Sequence, residues 1–121
     1  MKPENYILQT MVLRNQIHLY HRQTQGFGEH KALDAFYNEI IELIDDFVET
    51  YQGRYGRIKI EKETSSLQNY SKGAAVKALS AYAKSTEKMI GTTGKKAPEL
   101  ENILQEILGL TNKTVYMLSL G

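Results

Sequence analysis

The residues with the greatest chemical capacity are three histidines and a series of carboxylates in the first half of the chain. His18 and His21 stand three apart, His30 and Asp34 four apart, and Asp45 and Glu49 four apart. On a helix, each four-residue pair projects from one face across a single turn, where two side chains can reach the same ion. Imidazole nitrogen with carboxylate oxygen suits Fe, Mn or Zn. The chain contains no cysteine, which excludes thiolate metal sites, disulfide frameworks and cysteine nucleophiles.

The two pairs on the second helix also share a direction. Asp45 lies eleven residues beyond Asp34, and at ~100° per residue that returns to within ~20° of the starting direction. His30 and Glu49 are nineteen residues apart, ~28 Å along a helix axis, so one ion cannot take ligands from both ends. Either each pair finds partners on other helices of its own chain, or two copies of this helix lie antiparallel. The second arrangement is the more economical. A two-fold axis near Tyr37 to Ile41 would set His30 and Asp34 of one chain against Asp45 and Glu49 of the other, giving an isologous dimer with two identical sites. Phe36, Tyr37, Ile40 and Ile41 would supply apolar contacts near that axis.

Helices must position these groups, and the periodicity predicts four of them. The first covers residues 4–25, with Ile7, Met11, Ile17 and Tyr20 near one side, and Gly26-Phe27-Gly28 breaks it. The second covers residues 29–52, with Leu33, Phe36, Tyr37, Ile40, Ile41, Ile44, Phe47 and Val48 at helical spacing, and stops at Gly53. A polar connection over residues 54–70 follows. Ile58-Lys59-Ile60-Glu61 alternates there, but too briefly to predict a strand. The third helix covers residues 72–90, with Val76, Leu79, Tyr82, Ala83 and Met89 in its stripe, and Gly91-Thr92-Thr93-Gly94 ends it. The fourth opens at Pro98, a favoured first helical residue, and carries Leu100, Ile103, Leu104, Ile107 and Leu108. Gly109 is a candidate bend before Val115 and Leu118. The expectation is an all-α four-helix bundle, one domain over residues 1–121.

Composition narrows the function classes. Fifteen basic against fourteen acidic side chains give a net charge of +1, which favours neither nucleic acid nor an anionic membrane. No apolar run reaches the ~20 residues of a membrane span, and Met1-Lys2-Pro3-Glu4-Asn5 lacks the apolar stretch of a signal peptide, so a cytoplasmic protein is expected. Arg54, Tyr55, Arg57, Lys59 and Lys62 mix basic and aromatic residues but read as an exposed loop. Gly91, Gly94, Lys95 and Lys96 lack the spacing of a phosphate-binding loop. Glu42 and Asp46 read as solvated surface.

The segment His18-Leu19-Tyr20-His21-Arg22-Gln23-Thr24-Gln25-Gly26 resembles the end of the first helix of the Dps family of mini-ferritins, where the pattern is roughly H-x-x-H-W-N-x-x-G. His30-x3-Asp34-x2-Tyr37-x7-Asp45-x3-Glu49 is similar to that family's second-helix motif. The resemblance covers residues 13–53 and extends to short ferritin-like proteins encoded by bacteriophages. It implies a ferritin-like fold and a ferroxidase centre shared across a dimer interface. By position its ligands would be His21, His30, Asp34, Asp45 and Glu49, with His18 and Tyr37 in supporting roles. The implied cofactor is iron, as a mono-iron or di-iron site, with Zn or Mn as substitutes. The implied assembly is a homo-oligomer, at least a dimer, with a dodecameric cage as its largest form. Arg22 stands where the family has tryptophan, the loop between His21 and His30 is short, and no lysine-rich N-terminal tail like that of DNA-binding members is seen. Nucleic acid is therefore not an expected partner. Two functions follow as expectations: oxidation and storage of Fe(II), or a helical oligomerisation or structural component, such as a phage accessory protein, that keeps the fold without turnover.

Overall fold

The computed structural model describes residues 1–61 and 63–120. It contains four helices: α1 (Pro3–Gln23), α2 (Phe27–Tyr55), α3 (Ala74–Met89) and α4 (Pro98–Ser119). Proline occupies the first turn of α1 and of α4, where its missing N–H has no helical partner to lose. None of the described residues forms a strand, so the alternation at residues 58–61 does not mark one; the Ile58 N–H instead donates to Gln52 Oε1 at 3.0 Å.

The helices pack as α1 with α2, α2 with α4, α4 with α3, and α3 with α1, leaving α2 diagonal to α3. Side-chain pairs give the directions. Tyr6 meets Phe47 while His18 meets Tyr37, so α1 and α2 are antiparallel. Tyr6 meets Thr86 while Thr10 meets Tyr82, so α1 and α3 are antiparallel. Hence α2 and α3 run parallel, and the connection between them must travel the length of the bundle. It does so as a strap held on α1 by two glutamines seven residues apart. Gln16 both donates to the Gln68 carbonyl and accepts from its N–H, each at 2.8 Å. Gln23 accepts from the Tyr70 N–H at 2.7 Å and donates to Asn69 at 2.9 Å. Tyr70 and Thr24 both donate to Glu29, at 2.6 and 2.5 Å, and the bond to Glu29 raises the Tyr70 hydroxyl above its ordinary value.

The core is apolar and shared by all four helices: Ile17 and Tyr20, Leu33, Phe36, Ile40 and Phe47, Leu79 and Met89, Leu100, Leu104 and Ile107 are buried. Inside it lies a polar motif between α1 and α3. Thr10 Oγ1 donates to the Tyr6 carbonyl at 2.9 Å and accepts the Tyr82 hydroxyl at 2.7 Å. Thr86 Oγ1 donates to the Tyr82 carbonyl at 2.9 Å and accepts the Tyr6 hydroxyl at 2.8 Å. Each hydroxyl is satisfied, which is the condition for burying it, and the two rings stack at 5.3 Å. Burial raises the Tyr6 hydroxyl to about 12 and the Tyr82 hydroxyl well above its usual range.

Four glycines behave differently from the sequence expectation. Gly28 and Gly53 lie inside α2, which runs longer at both ends. In its last turn Arg54 donates to Glu99 of α4 at 3.0 Å. Gly91 and Gly94 do not end the third helix but continue it as a π-helical turn, Ile90–Gly94. Gly94 is needed for closeness: a Cβ there would stand 3.2 Å from the Glu101 backbone and 3.4 Å from Leu104. Gly94→Val is expected to destabilise by about 1–3 kcal/mol through overpacking. Gly53→Ala, facing open space, is expected to stabilise by about 0.5–1 kcal/mol. Denaturant unfolding of the two variants checks both signs. Gly109 introduces no break, α4 being continuous through it.

Candidate functional site

The outer face shared by α1 and α2 carries every residue singled out as a ligand. Its upper part is a ladder of four rings. Tyr37 stacks on His18 at 4.0 Å, His18 lies 6.0 Å from His21, and His21 stacks on His30 at 4.0 Å, with interplanar angles of 22–25°. The antiparallel packing of α1 and α2 sets this register, because the α1 positions 18 and 21 fall opposite 37 and 34. The short turn at residues 24–26 brings His30 back over His21, and His30 Nδ1 lies 2.8 Å from the His21 carbonyl. Asp34 reaches His21 Nε2 at 3.5 Å. His21 Nδ1 is buried without a hydrogen-bond partner among the described residues. Burial lowers the His18 pKa, and Arg22, His21 and Arg14 add to the lowering, all favouring the neutral imidazole.

The lower part of the face is a groove of about 490 Å³ between the helices, with Met11, Arg14, Ile44 and Val48 beside Asp45 and Glu49. Asp45 and Glu49 are exposed and lie ~16 Å or more below Asp34 along α2. The sequence-predicted set therefore divides in two: His21, His30 and Asp34 meet, with His18 and Tyr37 stacked beside them, while Asp45 and Glu49 stand apart on the same face. Among the described residues, no group of three or more His, Asp or Glu side chains is arranged to hold a metal ion. One chain alone does not fit such an ion, and the bundle interior offers no substitute, since its buried polar residues are threonines and tyrosines.

Met11, expected in the core stripe of the first helix, is instead half exposed on this face at 49%. Arg14 was not singled out by sequence; it lies over the Tyr37 ring at 5.9 Å. Its place one turn before His18 was the available signal. The Tyr6, Thr10, Tyr82 and Thr86 motif was also missed, although Tyr-x3-Thr occurs at both pairs.

The fold defines an all-α four-helix bundle with a histidine-rich outer face and an acidic lower end. The chain belongs to a family of unknown function (DUF5856), whose family model matches residues 21–118. It is similar to an uncharacterized 14.6 kDa protein in the mobD–ri intergenic region of Enterobacteria phage T4. The two are 27% identical over 119 residues, covering 98% of this chain and 89% of the relative. No solved structure matches. No helix among the described residues is long and apolar enough to cross a membrane.

Proposed function

We propose that this protein is a helical oligomerisation module, a structural component that pairs with a second copy through the α1/α2 face and does not turn over iron. The observation that carries this reading is the composition of that face. Exposed Met11 and half-buried Tyr37, Ile41 and Val48 run along its length. Arg22 and the histidines of the ladder lie toward one end, and Asp45 and Glu49 toward the other, with Arg14 between them, near Tyr37 and lining the lower groove. Residues 30 with 49, and 34 with 45, are symmetric about a point between 39 and 40. An isologous contact there sets the Arg22 and histidine end of each copy against Asp45 and Glu49 of the other, and apolar residues near the axis exclude water. The similarity to a phage T4 protein supports a viral setting for such a component.

A second reading is favoured by one specific observation, the convergence of His21, His30 and Asp34 on one half of the face. The same two-fold contact would add Asp45 and Glu49 of the other copy and complete a nitrogen–oxygen ligand set for iron, Zn or Mn. A single long crossover is also the connectivity of ferritin-like bundles. This reading gives a Dps-like ferroxidase in a dimer or larger cage.

Sedimentation of the wild type and of a Met11→Glu/Tyr37→Glu variant tests the pairing. The expected result is a dimer for the wild type and a monomer of unchanged helicity for the variant; a monomeric wild type refutes it. Anaerobic Fe(II) titration followed by peroxide separates the two readings. No saturable binding favours the structural module. Rapid oxidation that a His30→Ala/Asp34→Ala variant loses favours the ferroxidase.

A further inference from the structure

The charges of this nearly neutral chain are sorted by helix. Seven of its fourteen carboxylates lie on α2, which from Asp34 to Glu49 contains no lysine or arginine. The exposed edge of α3 is the converse: Lys77, Ala81, Lys84 and Lys88 follow one another at four-, three- and four-residue steps, a single ridge on the helix surface. Only Glu87 among α3 residues is acidic. Because α2 and α3 are diagonal in the bundle, the acidic and basic edges face in opposite directions. Within one chain they cannot meet.

Against the basic ridge stands a groove of about 650 Å³ between α2 and α4. Leu43 and Leu110 give it an apolar floor, and Gly109 leaves its centre open, with nothing within 4 Å of where a Cβ would stand. Glu39, Glu42 and Asp46 line the α2 side at helical spacing, and Glu106 lines the α4 side. Lys113 is the one cation lining it. Among the described residues, neither the Arg54–Glu99 ion pair nor the His21–Asp34 contact includes any of these carboxylates or ridge lysines.

We propose that the α2/α4 groove receives the α3 ridge of another copy of this chain. Two features of the ridge suit the groove. Ala81, the smallest side chain on it, allows close approach over Gly109 and the leucine floor. Lys77, Lys84 and Lys88 flank it with stems long enough to cross the rim, and their charge opposes that of the four carboxylates. The contact is heterologous: groove and ridge are different surfaces of one molecule, so each copy still offers a free groove or a free ridge, and association continues until it closes on itself. It uses neither α1 nor the histidine ladder. It therefore goes beyond pairing through the α1/α2 face and links such pairs, or single chains, into larger assemblies. Its ion pairs are solvent-exposed, and such pairs are individually weak and screened by salt, so the contact is a weak, salt-dependent one.

The test is sedimentation of the full chain at high protein concentration in low and high salt, with circular dichroism as the folding control. Three proteins are compared: the wild type, a ridge variant (Lys77→Glu/Lys84→Glu/Lys88→Glu) and a groove variant (Glu42→Lys/Asp46→Lys/Glu106→Lys). The wild type is expected to form species larger than a dimer in low salt, with association weakened by roughly tenfold or more in high salt. Each variant alone is expected to lose that step. Mixing the two is expected to restore association, because the reversed ridge of one meets the reversed groove of the other, and the unaltered groove of the first meets the unaltered ridge of the second. Absence of a salt-dependent step in the wild type overturns the proposal, as does its survival in either variant or failure of the mixture to associate. Tight binding of a polylysine peptide by a wild type that does not self-associate overturns it too, in favour of a foreign cationic partner. The Met11→Glu/Tyr37→Glu variant keeps the two contacts apart: if only α1/α2 pairing fails, the salt-dependent step persists with the monomer as its unit.

Discussion

Phe47→Ala is expected to cost about 3–5 kcal/mol of stability, the range for removing a fully buried aromatic side chain. Phe47 is wholly inaccessible, meets the Tyr6 ring edge-on at 5.8 Å and lies 6.2 Å from Tyr51. It is where α2 closes over the tyrosine pair between α1 and α3, so a cavity there borders the buried hydroxyls as well as the apolar core. A domain of this size commonly has about 5–15 kcal/mol in total, and the variant would keep the fold with a small margin or lose it at physiological temperature. Thermal unfolding followed by circular dichroism should show a midpoint lower by roughly 10–20 °C. Phe27→Ala serves as the control. Phe27 is 73% exposed, and its loss should change stability by no more than about 0.5 kcal/mol. Equal effects at the two positions would mean that α2 does not pack through the face described.

Alkaline pH should unfold the protein through its two buried tyrosines. Folded Tyr6 releases its proton only near 12, against 10 for a free tyrosine, chiefly because burial disfavours the phenolate. Tyr82 is shifted in the same direction, also by burial first. Between about pH 10 and 12 the native state therefore holds more protons than the unfolded chain. The stability from keeping these hydroxyls neutral is complete below pH 10 and is lost as pH rises through 12. For Tyr6 alone that loss approaches about 3 kcal/mol. Tyrosinate absorbance, recorded together with far-ultraviolet circular dichroism, should separate the chain's eight tyrosines. The exposed ones ionise with helicity intact, while Tyr6 and Tyr82 ionise only with loss of helix. Ionisation of all eight near pH 10 without unfolding would contradict the buried motif.

The helix count, the start at Pro98 and most of the core were legible in the sequence because apolar residues recur at helical spacing. What failed was punctuation. Gly53 reads as a stop, but one helical glycine costs only about 1 kcal/mol, and α2 continues through it to Tyr55. Gly91 and Gly94 were read as a terminus, whereas the short side of Gly94 lets the chain turn tightly against Glu101 without leaving the helix. For the site, spacing placed Asp34 and Asp45 on one face, and the structure agrees. Spacing could not say that His30 would fold back onto His21, since that depends on the turn at residues 24–26. The Tyr and Thr motif went unread because a threonine inside a helix looks like surface until a partner helix is known to face it. Gln16 and Gln23 were invisible for a similar reason: three of their four hydrogen bonds are to backbone groups of a strap that has no pattern of its own.

That strap also governs the order in which the molecule can be put together. It separates the chain into two helical hairpins, α1–α2 and α3–α4, each with one greasy side and no way to cover it alone. Contacts within a hairpin join residues near in sequence, and only when the hairpins dock does the tyrosine of one find the threonine of the other. Folding should therefore be a docking event between two preformed halves, with the tether limiting how far apart they can drift while they search.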